Sequence, residues 1–407
     1  MFSHRRLTYL ALVPLIALFA VFAVAACGDD EEETLKIGVV LPETGALAAY
    51  GGPMIVSVEL AEADIKEGGG AIEVIYADSG TDPDKANESV NRLLGEGAHV
   101  IVGAAASGIS QAIIQTLYDE KIPQCSPSNT SPNFTGQGNA GYYFRTAPSD
   151  AAAAPVIADT VVSRGGTRVS IVARADDYGQ ALAALLADRL DELGAESDTI
   201  TYDPQAATFD AEVAGVSDYG PDAIVLIVFD EGVNLIRGLL EAGFDPSTMY
   251  GSDGIYRPDL NTSVNESDPD VLNGMTLFVA SAPGSDAYDS FNIRLENALE
   301  QEGNLAFGAQ SYDCTVILAL AAKEAGSTDG DDIIAAVAKV TGGGRECTSY
   351  ADCAEGIDDG EDIAYVGKVG RLKLDSGGDP TVATYTVSRF EGGELVEQST
   401  QVFDFSE

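Results

Sequence analysis

The stretch Leu35-Lys36-Ile37-Gly38-Val39-Val40-Leu41, with Pro53 to Glu67 and Ile72 to Ala77 behind it, sets the fold class. The first segment is short, almost wholly apolar and rich in β-branched residues, which suits a strand buried on both faces. Pro42 to Gly52 reads as a loop. Pro53 to Glu67 reads as a helix with proline in its first turn, where the missing amide hydrogen has no intrahelical partner to lose, and Gly68-Gly69-Gly70 stops it. Ile72 to Ala77 is the next strand, and Asp82-Pro83 opens a helix to Leu94. Val100-Ile101-Val102-Gly103 is a strand, Ser107 to Glu120 a helix, and Ile122 to Cys125 a short strand. Strands alternating with helices are the rhythm of a mostly parallel α/β sheet.

Outward from that stretch the pattern repeats. Arg168 to Ala173 and Ala223 to Val228 read as strands, Tyr178 to Leu193 and Glu231 to Ala242 as helices, and Met275 to Val279 as a further strand. Three helical stretches follow at Tyr288 to Glu302, Ser311 to Ala325 and Asp331 to Val340. The ending differs, because Gly370 to Leu374 and Thr381 to Phe390 alternate like antiparallel strands around Asp375-Ser376-Gly377-Gly378-Asp379. Gly136-Gln137-Gly138-Asn139-Ala140-Gly141 matches Gly-x-Gly-x-x-Gly, but a dinucleotide site needs a strand before it and a helix after it. Here the strand Tyr142 to Arg145 follows, so the glycines form a turn.

Ahead of the first strand, His4, Arg5 and Arg6 precede an apolar run from Leu7 to Ala26 that ends in Val24-Ala25-Ala26-Cys27. A basic start, an apolar middle and small residues before a cut are the marks of secretion, and the cysteine after them resembles a lipobox. Residues 1–26 are therefore expected to be a lipoprotein signal peptide, Cys27 the lipidated residue, and 27–34 an acidic tether whose like charges keep it solvated. The competing reading is an uncleaved anchor, since the run is about long enough to span a bilayer. Both place residue 28 onward outside the cytoplasm, the first of them lipid-anchored to the outer face of the cell membrane.

The 407 residues carry 22 basic and 65 acidic side chains. Such a balance repels nucleic acid, and the acids are dispersed, as on a solvated surface. Beyond Cys27 four cysteines remain, in an oxidising compartment, and they allow three pairings. Cys347 and Cys353 sit close together around Thr348 to Asp352 and are expected to staple a local loop, which leaves Cys125 with Cys314. Only His4 and His99 are histidines, so Ser-His-Asp, Cys-His and histidine-zinc chemistry are disfavoured. No cofactor or metal is expected, and no catalytic residue.

Ligands of open parallel sheets bind beyond the carboxyl ends of the strands. Gly103-Ala104-Ala105-Ala106-Ser107 leads into a helix start whose free amides favour an anion, although Ser107 also suits a plain helix cap. Ser126 to Thr135 is a polar loop rich in hydroxyls. The second half offers Arg174 to Gly179, Phe229 to Gly232, and Asp253 within Tyr250-Gly251-Ser252-Asp253-Gly254, where an aspartate can face a cation or simply make a turn.

In that order these segments resemble the leucine/isoleucine/valine-binding family of ABC-transporter substrate-binding lipoproteins. The carriers are Ile37 to Val40 through Gly45 and Tyr50-Gly51, Val102 to Ser107, Pro123 to Thr135, Phe144 to Asp150, Asp177-Tyr178-Gly179 and Ser311-Tyr312-Asp313. The resemblance implies a two-lobe type I periplasmic-binding fold with three hinge crossings, near Pro148, Ala282 and Tyr365. Lobe 1 would be 35–148 plus 282–364, and lobe 2 would be 149–281 plus 365–407. It also implies that a ligand carboxylate meets the Ser107 hydroxyl and amides around Ser128 and Thr130. The ligand ammonium would meet Asp253, the Thr130 hydroxyl and the Ser128 carbonyl, with Tyr178 closing from lobe 2 and Tyr50 and Phe229 lining the side-chain pocket. Asp230 and Glu231 would add negative charge near the cleft, and the Cys347–Cys353 segment lies outside the simplest family pattern.

The implied function is capture of a small amino acid, branched-chain first, by a monomer that delivers it to ABC permease subunits. Alternatives are a surface ligand sensor with the same fold, and a binder of amides, urea-like compounds or polyamines. A carboxylate-based hydrolase is disfavoured by the missing histidine base.

Overall fold

The computed structural model describes residues 33–136, 141–282, 284–299 and 304–405. The signal peptide, Cys27 and the tether up to residue 32 lie outside the described residues, as do 137–140 of the glycine motif. Strands and helices alternate through β1 (Leu35–Leu41), α1 (Ala48–Glu67), β2 (Ile72–Asp78), α2 (Pro83–Gly95), β3 (Val100–Gly103), α3 (Ser107–Asp119), β4 (Gln124–Ser126) and β5 (Tyr143–Arg145). These five strands form one all-parallel sheet in the order β2-β1-β3-β4-β5. Its centre is apolar on both faces, as the sequence of β1 requires: every residue of β1 except Lys36 is buried.

The chain then builds a second sheet through α4 (Asp150–Ser163), β6 (Arg168–Arg174), α5 (Asp177–Glu192), β7 (Glu196–Tyr202), α6 (Asp210–Tyr219), β8 (Ala223–Ile227), α7 (Gly232–Glu241), β9 (Met249–Gly251), α8 (Leu260–Val264) and β10 (Thr276–Ser281). It returns to the first sheet's side with α9 (Asp286–Leu299), α10 (Gly308–Ala325), α11 (Gly330–Gly342), β11 (Arg345–Cys347), α12 (Tyr350–Asp358), β12 (Ile363–Gly367) and β13 (Gly370–Arg371), where α9 and α10 pack on α1. It ends in the hairpin β14 (Val382–Glu391) and β15 (Glu394–Asp404), which completes a seven-stranded sheet, β15-β14-β10-β9-β8-β6-β7. Each sheet is thus flanked by helices, and the chain passes between the two halves three times.

Several expectations shift in detail. Helix α1 starts at Ala48, so Pro53 lies inside it. Gly51 explains the early start, because a Cβ there would come within 1.8 Å of the Pro42 carbonyl oxygen, and its absence lets the first helical turn rest on the β1 loop. Tyr365 lies in β12 and donates to Asp313 of α10 at 2.8 Å, so the chain is still beside the first half at that point. The expected pairing around Asp375–Asp379 shrinks to one bridge, Leu374 with Pro380, because β14 finds longer partners in β10 and β15.

Both disulfides are formed, Cys125–Cys314 and Cys347–Cys353, with Cα separations of 5.7 and 5.2 Å. The first ties β4 to α10, directly below the Ser126–Thr135 loop. The second closes the turn between β11 and α12.

Candidate functional site

The carboxyl ends of both sheets face one small cavity of about 30 Å³. Ser107, Ser128, Thr130, Tyr178, Asp253, Tyr50 and Phe229 all line it. Leu47, Met54 and Phe307 complete its apolar wall, and of these three none had been singled out from the sequence. Phe307 sits in a left-handed conformation (φ 63°) immediately before α10, a geometry that sequence periodicity does not announce.

At one pole lies the start of α3. Ala106 occupies its N-cap position and no side chain caps it, so the first amides and the Ser107 hydroxyl are available to an anion. Ser107 Oγ only accepts a long bond from the Ser131 amide, at 3.4 Å. The Ser128 hydroxyl donates to the Ala105 carbonyl at 2.9 Å, which leaves the residue's backbone as its contribution to the cavity. Ser126 holds that loop from beneath, accepting from the Asn129 amide at 3.0 Å and donating to the Ala104 carbonyl at 2.8 Å.

At the other pole is Asp253, following β9 and 9% exposed. Tyr178 donates to its carboxylate and lies 2.7 Å from the Ser252 hydroxyl. Burial pushes the Asp253 carboxyl up to about 6. Burial, and then the charges of Asp253 and Asp150, hold the Tyr178 phenol well above its ordinary value, so it remains a donor. Tyr178 stacks on Phe229 with centroids 5.4 Å apart, and Arg174 covers the far face of Phe229 at 3.5 Å.

Asp150, the first residue of α4, was missed as a site residue because an aspartate after a serine cap reads as ordinary helix-start chemistry. It is 1% exposed and neither carboxylate oxygen has a well-formed hydrogen bond. Burial first, and then the nearby Asp253 charge, push its carboxyl well above the usual range. Asp150 thus lies behind Asp253, outside the cavity lining and within reach of the buried Arg145 charge, and none of the described cavity-lining residues is basic.

The expected extra negative charge is neutralised elsewhere. Glu231 accepts from Arg174 Nη1 at 2.7 Å and from the Tyr202 hydroxyl at 2.7 Å, while Asp230 lies 3.0 Å from Arg257 Nη1, and neither acid lines the cavity. Tyr50 spans the two halves: its hydroxyl donates to the Asp253 carbonyl at 2.8 Å and the Tyr256 carbonyl at 3.0 Å. The cavity thus has an uncapped helix start at one end, a buried carboxyl at the other and an apolar wall between them, and the Tyr50 hydroxyl joins the two halves across it.

The periplasmic binding protein family model matches residues 34–343. A Brucella abortus (strain 2308) protein named Leu/Ile/Val-binding protein homolog 1 is 25% identical over 384 residues, covering 91% of this chain and 94% of that protein. The branched-chain amino acid transporter substrate-binding protein LivJ of Streptococcus pneumoniae, solved with isoleucine, superposes with a TM-score of 0.73 at 21% identity, over 91% of this chain and all of the other. A Rhodopseudomonas palustris ABC-transporter solute-binding protein solved with benzoate gives a TM-score of 0.73 at 18% identity, over 92% and 98% of the two chains. The structural likenesses establish the type I fold that the sequence resemblance implied. With three quarters of its length matched by one family model, this chain belongs to the periplasmic binding protein family.

Proposed function

We propose that this protein captures a small aliphatic α-amino acid in the cavity and passes it to ABC permease subunits, held at the outer face of the cell membrane through lipidated Cys27. The observation that carries the reading is the buried Asp253 carboxyl, in a cavity whose described lining holds no basic residue, opposite the uncapped start of α3. A ligand ammonium supplies the missing charge, its carboxylate meets the start of α3, and its side chain meets Leu47, Met54 and Phe307. Lobe 1 then comprises 35–148 with 282–371, and lobe 2 comprises 149–281 with the C-terminal hairpin, the third crossing following β13. Charge-assisted hydrogen bonds contribute about 1.5 to 3 kcal/mol each, enough to make the zwitterion's two ends decisive.

Benzoate, bound by one structural neighbour, offers a carboxylate but leaves Asp253 without a cationic partner. Polyamines offer cations but no anion for α3. Calorimetric titration with leucine, isoleucine, valine, alanine, benzoate and putrescine tests the choice. The aliphatic amino acids are expected to bind and the other two to give no heat; binding of benzoate alone would overturn the reading.

Closure should depend on Tyr50. Tyr50→Phe keeps the ring but removes the donor to two carbonyls on the opposite half, so amino-acid affinity is expected to fall by about 5- to 10-fold, from about 1 to 1.5 kcal/mol per lost hydrogen bond. An unchanged dissociation constant would show that the hydroxyl has no part in closing.

Affinity should also follow pH. The ammonium needs ionised Asp253, whose carboxyl stands at about 6 before ligand arrives, so binding is expected to strengthen as pH rises from 5 to 7 and then level off. The ligand-free protein should respond oppositely. Its Asp253 holds a proton more tightly than in the unfolded chain, so the stability this confers is complete below about pH 4 and is lost as pH rises through about 6. The raised Asp150 acts in the same direction. Titrations at pH 5, 6 and 7 giving one affinity would contradict this.

A further inference from the structure

A second, larger cavity of about 300 Å³ opens at the second crossing, where β10 leaves the seven-stranded sheet. Both halves contribute: Tyr256, Ser281, Thr386 and Glu397 from the side of the seven-stranded sheet, Tyr288 and Asn304 from α9 and the approach to α10. None of its described lining residues is basic. Burial first raises the Tyr256 and Tyr288 phenols, and each ring also feels the other or Glu397, which places two aromatic rings and a carboxylate around one space. Asp289 adds a second carboxylate at the rim. The Asn304 side-chain Nδ2 is buried with no hydrogen-bond partner. The hydroxyls are already committed: Tyr256 to Ser388 at 2.9 Å, and Thr386 to Ser281 at 2.9 Å. The Glu397 carboxylate accepts from Thr400 at 3.0 Å, and Glu397 and Asp289 are exposed, so the acids stand at the open rim while the Tyr256 and Tyr288 side chains line the space.

We propose that this crossing cavity is a separate binding site for a small organic cation, an amine or quaternary ammonium, and that its occupancy favours the closed cleft. Aromatic faces and carboxylates together recognise such cations. The link to the cleft is direct. The Tyr256 carbonyl accepts the Tyr50 hydroxyl that spans the halves, and Leu305 and Ala306 at the cavity lead into Phe307 in the cleft wall. A molecule seated between both halves in this arrangement disfavours their separation, and coupling between two sites is reciprocal.

The test titrates tetramethylammonium into the full mature protein, with and without saturating leucine, at 0.15 M salt to screen the acidic surface. Saturable binding is expected, tightening about fivefold when leucine is present, with leucine tightening by the same factor when the cation is present. Tyr288→Ala and Glu397→Gln should each weaken the cation by about fivefold or more while leaving leucine affinity in its absence unchanged. Glu397 is exposed, so its variant tests the site without threatening the fold. No saturable binding, both variants binding the cation as tightly as the original protein, or binding that leaves leucine affinity untouched would each overturn the proposal. Leucine failing to bind at all would instead tell against the amino-acid reading, while cation binding lost in both variants would still establish the site.

Discussion

Asparagine in place of Asp253 is expected to weaken binding of a small aliphatic amino acid by about a hundredfold or more while the protein stays folded. The substitution preserves shape and can still meet the Tyr178 hydroxyl, so what it removes is charge. In a closed cavity, taking away one partner of a buried ion pair costs about 3 to 5 kcal/mol, and 1.4 kcal/mol is a decade in affinity. The ligand-free protein should not suffer, because burial already opposes ionisation at this position. Asp150→Asn separates the two carboxyls. Burial and not Asp150 raises the Asp253 carboxyl, and the Asp253 charge keeps Asp150 protonated, so the pH at which affinity levels off should stay in place in this variant. Calorimetry and circular dichroism on the three proteins check this, and an Asp253→Asn dissociation constant within threefold of the original would remove Asp253 from the site.

How much of this was legible follows from what each signal encodes. The parallel strands could be read because each is a short apolar run buried on both faces, as in β3, where all four residues are buried. The loops after them could be read because ligand sites follow strand ends. β7 escaped, since Glu196 to Tyr202 is an edge strand with one buried residue and so lacks an apolar pattern. β15 escaped for the same reason: it is the outer strand of the hairpin, and none of its residues is buried. Asp150 could not be weighed from sequence, because its significance lies in its burial beside Asp253, a property of packing across 103 residues rather than of spacing. Asp230 and Glu231 misled in the opposite sense, adjacent in the chain to Phe229 but turned toward Arg257 and Arg174.

The same limit hid what holds the carboxylate pole in place, and it leads to the second large effect. Arg145, 0% exposed, pairs with Asp379 through Nε to Oδ1 at 2.6 Å and Nη2 to Oδ2 at 3.0 Å, across 234 residues. Its Nη1 donates to the carbonyls of Asn129 at 3.0 Å and Ser131 at 2.9 Å, the two residues that flank Thr130. One guanidinium thus fixes the loop that lines the cavity to the segment following β13. Its five donors form a planar fork that an ammonium cannot copy. Arg145→Ala strands a buried carboxylate at Asp379 and two carbonyls, so unfolding free energy is expected to fall by about 3 to 5 kcal/mol, read from urea titration. Arg145→Lys should recover part of the stability, since the charge still meets Asp379, but not the amino-acid affinity, since Asn129 and Ser131 lose their shared donor. Lysine restoring affinity in full would show that the charge alone positions Thr130. Alanine costing less than about 1 kcal/mol would show that water replaces the arginine, and the loop would then owe its shape to Ser126 and the Cys125–Cys314 disulfide beneath it.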